Sequence, residues 1–168
     1  MKSITSYIFA FLILVVSACS QSEKTKINKN PPLPKRIGSV NDFENIFSDQ
    51  EEKALDSLIK DFEKQTSIEI EVVTLDTTMT TLETFNSYTL RLLRDWNIGK
   101  KKKNDGILIG ISSSLQRVRI SNGLGVEKSL SDIETKRVLD DFMFPEFRKG
   151  NFFEGTKKGI NELVTTLE

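Results

Sequence analysis

Two neighbouring segments, joined by a turn too short for anything but a hairpin, constrain the fold of this chain most. Residues 106–112 open on Gly106 and continue Ile107-Leu108-Ile109, apolar enough to lie centrally in a sheet. Residues 116–121 place Val118 and Ile120 alternately with Arg117 and Arg119, the period of a strand with one buried face. The turn between them predicts an antiparallel pair.

Residues 68–75, rich in Ile and Val, read as an earlier strand. Between it and Gly106 the pattern predicts a helix running from Leu82, with Phe85, Leu92, Leu93 and Trp96 on its apolar face. A strand–helix–strand crossover is right-handed and leaves its two strands parallel. The start of the central strand and the end of the hairpin strand then share one sheet edge. That topology brings Asn104-Asp105 beside residues 123–132.

Three capping-box spacings mark helix starts. Ser48 and Glu51 precede Leu55, Leu58, Ile59 and Phe62; Thr80 and Glu83 precede the crossover helix; Ser131 and Glu134 precede a helix using Ile133, Val138, Leu139 and Phe142. Pro145 and Gly150 interrupt this pattern, and Phe153, Ile160, Leu163, Val164 and Leu167 outline a closing amphipathic helix. The order predicts an α/β fold: a central mixed sheet with helices on both faces.

The N-terminus predicts where the domain works. Lys2 precedes an apolar run over residues 7–16, then small Ser17 and Ala18, then Cys19. At about fifteen apolar residues the run is a secretory signal, short of the roughly twenty a membrane-spanning helix requires. Val16-Ser17-Ala18-Cys19 resembles a bacterial lipobox, whose cysteine is diacylated and becomes the mature N-terminus; the alternative is an ordinary signal with a coincidental cysteine. Cys19 is the single cysteine of the chain, so no internal disulfide competes for it.

The expected organisation is a signal peptide over 1–18, a lipidated N-terminus and flexible linker over 19–36, and one domain over 37–168. The expected location is extracytoplasmic, with the protein anchored to the bacterial membrane through its N-terminal lipid. Ser20 after Cys19 favours the periplasmic face of the outer membrane where the cell has one. The 24 basic and 24 acidic side chains balance. The only basic run is residues 100–103, so nucleic acid is not the expected partner.

Composition also limits the chemistry. The chain has no histidine, which excludes Ser-His-Asp and Cys-His catalysis and zinc sites built on imidazole. No P-loop follows a strand, and Gly123-Leu124-Gly125 follows an antiparallel strand, the wrong context for a dinucleotide fingerprint. Oxygen ligands remain. Asp105, Glu127 and Asp132, brought near by the topology, are the candidate ligands for calcium or magnesium. Each also has a separate structural reading, as a turn aspartate, a solvated glutamate and a first-turn helix charge.

Lys101 and Arg119 are the candidate anion-binding residues, although a lysine run is also simply a solvated loop and a strand arginine also covers a helix. Trp96, Phe152 and Phe153 read as core.

These motifs together resemble the TPM-domain family. Val40 and Asp42 match its opening pair, Phe47-Ser48 the start of its first helix, and Trp96-Asn97-Ile98-Gly99 with Lys101 and Asn104-Asp105-Gly106 its central block. Arg119-Ile120, Gly123, Gly125-Val126-Glu127 and Leu130-Ser131-Asp132 match the second block, and Pro145-Glu146-Phe147, Gly150 and Gly155 the third. Phe43-Glu44-Asn45 departs from the leucine or small residues that the family commonly carries there.

The resemblance implies a three-layer α/β/α sandwich of Rossmann-like appearance, extracytoplasmic and commonly tethered to a membrane. It also raises calcium binding and acid phosphatase activity, both ascribed to plant members. The expected function is a lipid-anchored module that assists an envelope protein complex, with a divalent cation such as calcium bound. The alternative is a metal-dependent acid phosphatase.

Overall fold

A computed structural model describes residues 31–99 and 104–167. Its sheet has the order β1-β2-β3-β4, formed by β1 (Val40–Asp42), β2 (Glu69–Thr74), β3 (Gly106–Ser112) and β4 (Arg117–Asn122). The first three strands are parallel, and β4 runs back against β3 with Ile109 opposite Ile120. The crossover and the hairpin thus appear as expected. The edge strand β1 is an addition to the expected set: three residues with a single apolar member carry no periodic signal, and only the register with Val72–Thr74 makes them a strand.

Alternation along the strands divides the core into two layers. On one face, Ile70, Val72, Ile107, Ile109, Ile111 and Ile120 meet α1 (Asp49–Thr66) and α5 (Phe152–Leu167) through Leu55, Ile59, Phe62, Ile160 and Leu163. On the other, Val73, Leu75 and Leu108 meet α2 (Phe85–Asp95) through Phe85, Tyr88 and Leu92, with Trp96 beside them. The molecule is therefore an α/β/α sandwich with a central mixed sheet. Among the described residues no helix is long and apolar enough to cross a membrane.

Two capping boxes form as read. The hydroxyl of Ser48 accepts from the Glu51 N–H, and that of Ser131 from the Glu134 N–H, while each glutamate accepts from the backbone N–H of its serine. Ser131→Ala is expected to cost about 1 kcal/mol, read by urea unfolding; no change would mean that packing alone sets the start of α3 (Asp132–Arg137).

The third box does not form. Asp76 Oδ1 instead accepts from the N–H groups of Thr78 (2.8 Å) and Met79 (3.1 Å), and the Glu83 carboxylate accepts from the Thr81 hydroxyl (2.7 Å). These turns delay α2 to Phe85 and leave Leu82 51 % exposed. Ile133, also expected in the core, is 81 % exposed, because the first turn of α3 buries Thr135 instead.

Pro145 does not stop the chain's helical course. A π-helical turn over Val138–Met143 precedes α4 (Phe144–Phe147), which carries Pro145 in its first turn. The wider turn accommodates a residue that lacks an N–H and crowds the preceding turn. Glu146 then fastens α4 to α5, accepting from Lys158 Nζ (2.6 Å) and Asn151 Nδ2 (3.1 Å). Those hydrogen bonds, with the neighbouring Lys149, hold its carboxyl down to about 2.

Candidate functional site

The expected convergence of the two turns is present. Gly125 N–H donates to the Asn104 carbonyl (2.9 Å) and Gly123 N–H to that of Gly106 (2.8 Å). A Cβ on Gly123 would lie 2.2 Å from the Asn104 oxygen, so the backbones meet at a distance only glycine permits. Val126 and Leu130 anchor the outgoing turn in the core.

The three candidate metal ligands do not share one site. Asp105 borders a cavity with Leu124, Gly125 and Lys128, and its Oδ1 is buried with no hydrogen-bond partner among the described residues. Glu127 is exposed, and Asp132 borders a different cavity, beside Arg117, Arg119 and Lys136. Among the described residues no group of three or more His, Cys, Asp or Glu is arranged to hold a metal. The backbone turns pack closely, but Asp132 lies in the first turn of α3, past the buried Leu130, and borders a different cavity from Asp105.

Of the anion-binding candidates, Arg119 lies on the α2 face of β4 and donates through Nε to Ser121 Oγ (3.1 Å). Lys101, and the lipidation candidate Cys19, fall outside the described residues.

At the start of β2 lies a carboxylate cluster that sequence reading missed. Glu71 in β2 has no exposed side-chain surface. Arg36 pairs with it and also reaches Glu69 Oε1 at 2.9 Å, while Glu69 Oε2 accepts from the Gly99 N–H (2.7 Å). Burial pushes the Glu71 carboxyl up to about 8 against the opposing pull of Arg36, with Glu69 adding to the rise. Pro31–Arg36 belong to this packing. Arg91 Nη2 donates to the Pro31 carbonyl (3.1 Å), the Tyr88 hydroxyl to that of Pro32 (2.8 Å) and Trp96 Nε1 to that of Pro34 (2.9 Å), so the domain's contacts begin six residues before position 37.

At the opposite end of the sheet, where open α/β sheets commonly place ligands, the carboxylates are already engaged. Asp42 accepts from the Thr74 hydroxyl and the Phe47 N–H (2.8 Å). Glu44 accepts from the N–H groups of Ser113 (2.7 Å) and Ser114 (3.1 Å) and from the Ser114 hydroxyl (2.6 Å). The hairpin turn is thus an anion-binding turn occupied by the chain's own carboxylate.

Beside it opens a cavity of about 590 Å3 between β4 and α4. Phe144, Phe147, Phe152 and Val118 supply its apolar wall, Arg117 and Arg148 its charge. Phe147 and Phe152 pack with ring centroids 5.3 Å apart, and the Arg148 guanidinium lies 5.9 Å from the Phe144 ring centroid. A second cavity of about 460 Å3 continues along β4 from Arg117 to Ile120, between the start of α2 and α3. The phenylalanines are visible in the sequence, but their convergence depends on the turn at Gly150 between α4 and α5.

The geometry finds parallels. A family model described as the TPM domain matches residues 40–166. The solution structure of the N-terminal domain of a P. gingivalis protein is similar, with a TM-score of 0.68 and 30 % identity over 77 % of this chain and 81 % of that one. The BA42 protein of Bizionia argentinensis gives 0.65 and 26 % identity, covering 74 % and 83 %. The N-terminal domain of the cg2496 protein of Corynebacterium glutamicum shares the fold, at 0.60 with 12 % identity over 83 % and 89 %. No curated protein matches.

Proposed function

The chain belongs to the TPM-domain family, and from that premise we propose that it is a lipid-anchored, extracytoplasmic binding module that engages an envelope protein. The observation that carries this reading is the phenylalanine-lined cavity, whose Arg117 and Arg148 meet no carboxylate among the described residues. An apolar recess edged by cations that no described carboxylate neutralises is a recognition surface. Asp42 and Glu44, at the same end of the sheet, are engaged in hydrogen bonds that shape the scaffold.

Cys19 carries the anchoring part of the proposal. Intact-mass spectrometry of the mature protein is expected to find residues 1–18 removed and a diacylglyceryl modification on Cys19, and Cys19→Ser is expected to leave the membrane fraction. A processed but unmodified cysteine would refute the anchor. Turnover of simple phosphate esters by the purified chain would refute the binding-module reading.

A second reading, a divalent cation bound near Asp105 in support of phosphatase chemistry, has one observation in its favour: the buried Asp105 Oδ1, which has no hydrogen-bond partner among the described residues. Calcium or magnesium bound there would screen that carboxylate and polarise a phosphoryl oxygen. Lys128, on the same cavity, would oppose the cation and favour the anion. Titration with calcium and with magnesium, followed by amide shifts, tests it. Shifts around Asp105 that vanish in Asp105→Asn support the site, and no shifts at millimolar ion remove it.

A further inference from the structure

The outer edge of β4 is an unfilled place in the sheet. The Gly123 N–H donates to Gly106, and the register pairs Ser121 with Leu108, Arg119 with Gly110 and Arg117 with Ser112. In an antiparallel ladder alternate residues face the partner strand. Arg117, Arg119 and Ser121 therefore direct their backbone groups to β3, and Val118 and Ile120 direct theirs away. Among the described residues no strand lies beyond β4. The groove outside it is walled by Leu82 and Asn86 on one side and by Thr135 and Leu139 on the other.

The side chains on the two faces of this edge differ in kind. Arg117 and Arg119 lie on the α2 face, two residues apart, and Val118 and Ile120 lie on the opposite face with Leu139. Neither arginine meets a carboxylate among the described residues. Lys136 is already paired with Asp140, and Asp132, with no ion pair among the described residues, lies at the far end, near the Asn122–Thr135 hydrogen bond. The groove is thus positive where it joins the phenylalanine cavity and negative at its other end.

We propose that an extended segment of a partner protein, with acidic and apolar residues in alternation, adds to β4 as a fifth strand. The proposal rests on the binding-module reading and names the kind of partner that module takes. Strand addition supplies main-chain hydrogen bonds to Val118 and Ile120, and alternate side chains supply specificity. Acidic residues of the segment stand beside Arg117 and Arg119. Its apolar residues stand beside Val118, Ile120 and Leu139, and an aromatic end residue enters the cavity of Phe144, Phe147 and Phe152.

The test uses the full-length chain in detergent and a capped octapeptide in which glutamate alternates with valine and the last residue is phenylalanine. A peptide with lysine in place of glutamate is the control. Amide exchange read by NMR is expected to slow at Val118 and Ile120 with the glutamate peptide, and not at Arg117 or Arg119, which are already paired. The double variant Arg117→Glu, Arg119→Glu is expected to lose about tenfold in affinity for the glutamate peptide and to gain the lysine peptide.

Unchanged exchange at Val118 and Ile120 would overturn the proposal and leave the arginines as charges that keep a bare edge from pairing. Protection of those amides without peptide, with a dimer in sedimentation, would overturn it in favour of a second copy of the chain. Both results are distinguishable from failure of the binding-module reading, which phosphate-ester turnover decides independently of this groove.

Discussion

Urea unfolding between pH 5 and pH 9 is expected to show the protein losing stability as the pH rises towards about 8, and Glu71→Gln to abolish that loss. The Glu71 carboxyl titrates near its ordinary value of 4.5 when unfolded and at about 8 when folded, chiefly because it is buried. Between these values the folded chain retains a proton that the unfolded chain has released, so raising the pH favours unfolding. The contribution is fully present below 4.5 and gone above about 8. The slope across the window approaches about 1.4 kcal/mol per pH unit.

Arg36 offsets part of the cost of ionisation but sits at the surface, with its side chain 38 % exposed. Glu146 acts with the opposite sign and in a separate range. Its folded value of about 2 contributes stability that is lost only as the pH falls below the ordinary carboxylate range. An equal slope in the wild-type chain and in Glu71→Gln would show that Glu71 does not carry the effect.

Gly99→Ala is expected to destabilise the chain by about 3 kcal/mol or more, a large effect for a single added methyl group. Gly99 has φ +75°, and a Cβ there would lie 2.0 Å from the Gly106 nitrogen. The obstacle is backbone at the start of the central strand, which has no rotamer to yield. Movement would also disturb the Gly99 N–H bond to Glu69 and the adjoining Arg36 pairs. Gly150 supplies the control, with φ +80° and no heavy atom within 4 Å of the place a Cβ would take; Gly150→Ala is expected to cost about 1 kcal/mol from the backbone alone. Equal losses in the two variants would mean that positive φ, and not the contact, accounts for Gly99.

The legible parts of the fold were those where local pattern and tertiary demand agree. Residues 106–112 became β3 residue for residue because an apolar run bounded by turn signals suits a fully buried central strand. The Ser48 and Ser131 boxes formed because a serine and a glutamate three residues later need only each other. Thr80 and Glu83 have the same spacing and failed because Asp76 and the neighbouring threonines offered nearer partners. Leu82 and Ile133 match helical periodicity yet point to solvent, since periodicity identifies a face without saying whether anything covers it.

The candidate site was legible to a lesser degree, for a geometric reason. Topology placed Asn104 and Gly123 together, and their backbones do meet. It carried no information on the direction of Asp105, Glu127 and Asp132 beyond those backbones. Glu44 in the serine turn, Glu71 beneath Arg36 and Arg148 over Phe144 depend on partners 68 or more, 35 and four residues away, and no local window contains the first two.

The order of elements, the parallel crossover followed by a hairpin, and membership of the family are readable from the chain alone, because they follow from short-range periodicity and from motifs in series. Which charges are buried, which are engaged and which meet no opposite charge among the described residues is settled by tertiary packing. A glutamate in β2 is desolvated where the Arg36 segment packs against it, while Arg117 and Arg119, on the last strand of the sheet, meet no carboxylate among the described residues. Burial and pairing are properties of surfaces brought together from distant parts of the chain, and that distance is what local sequence does not encode.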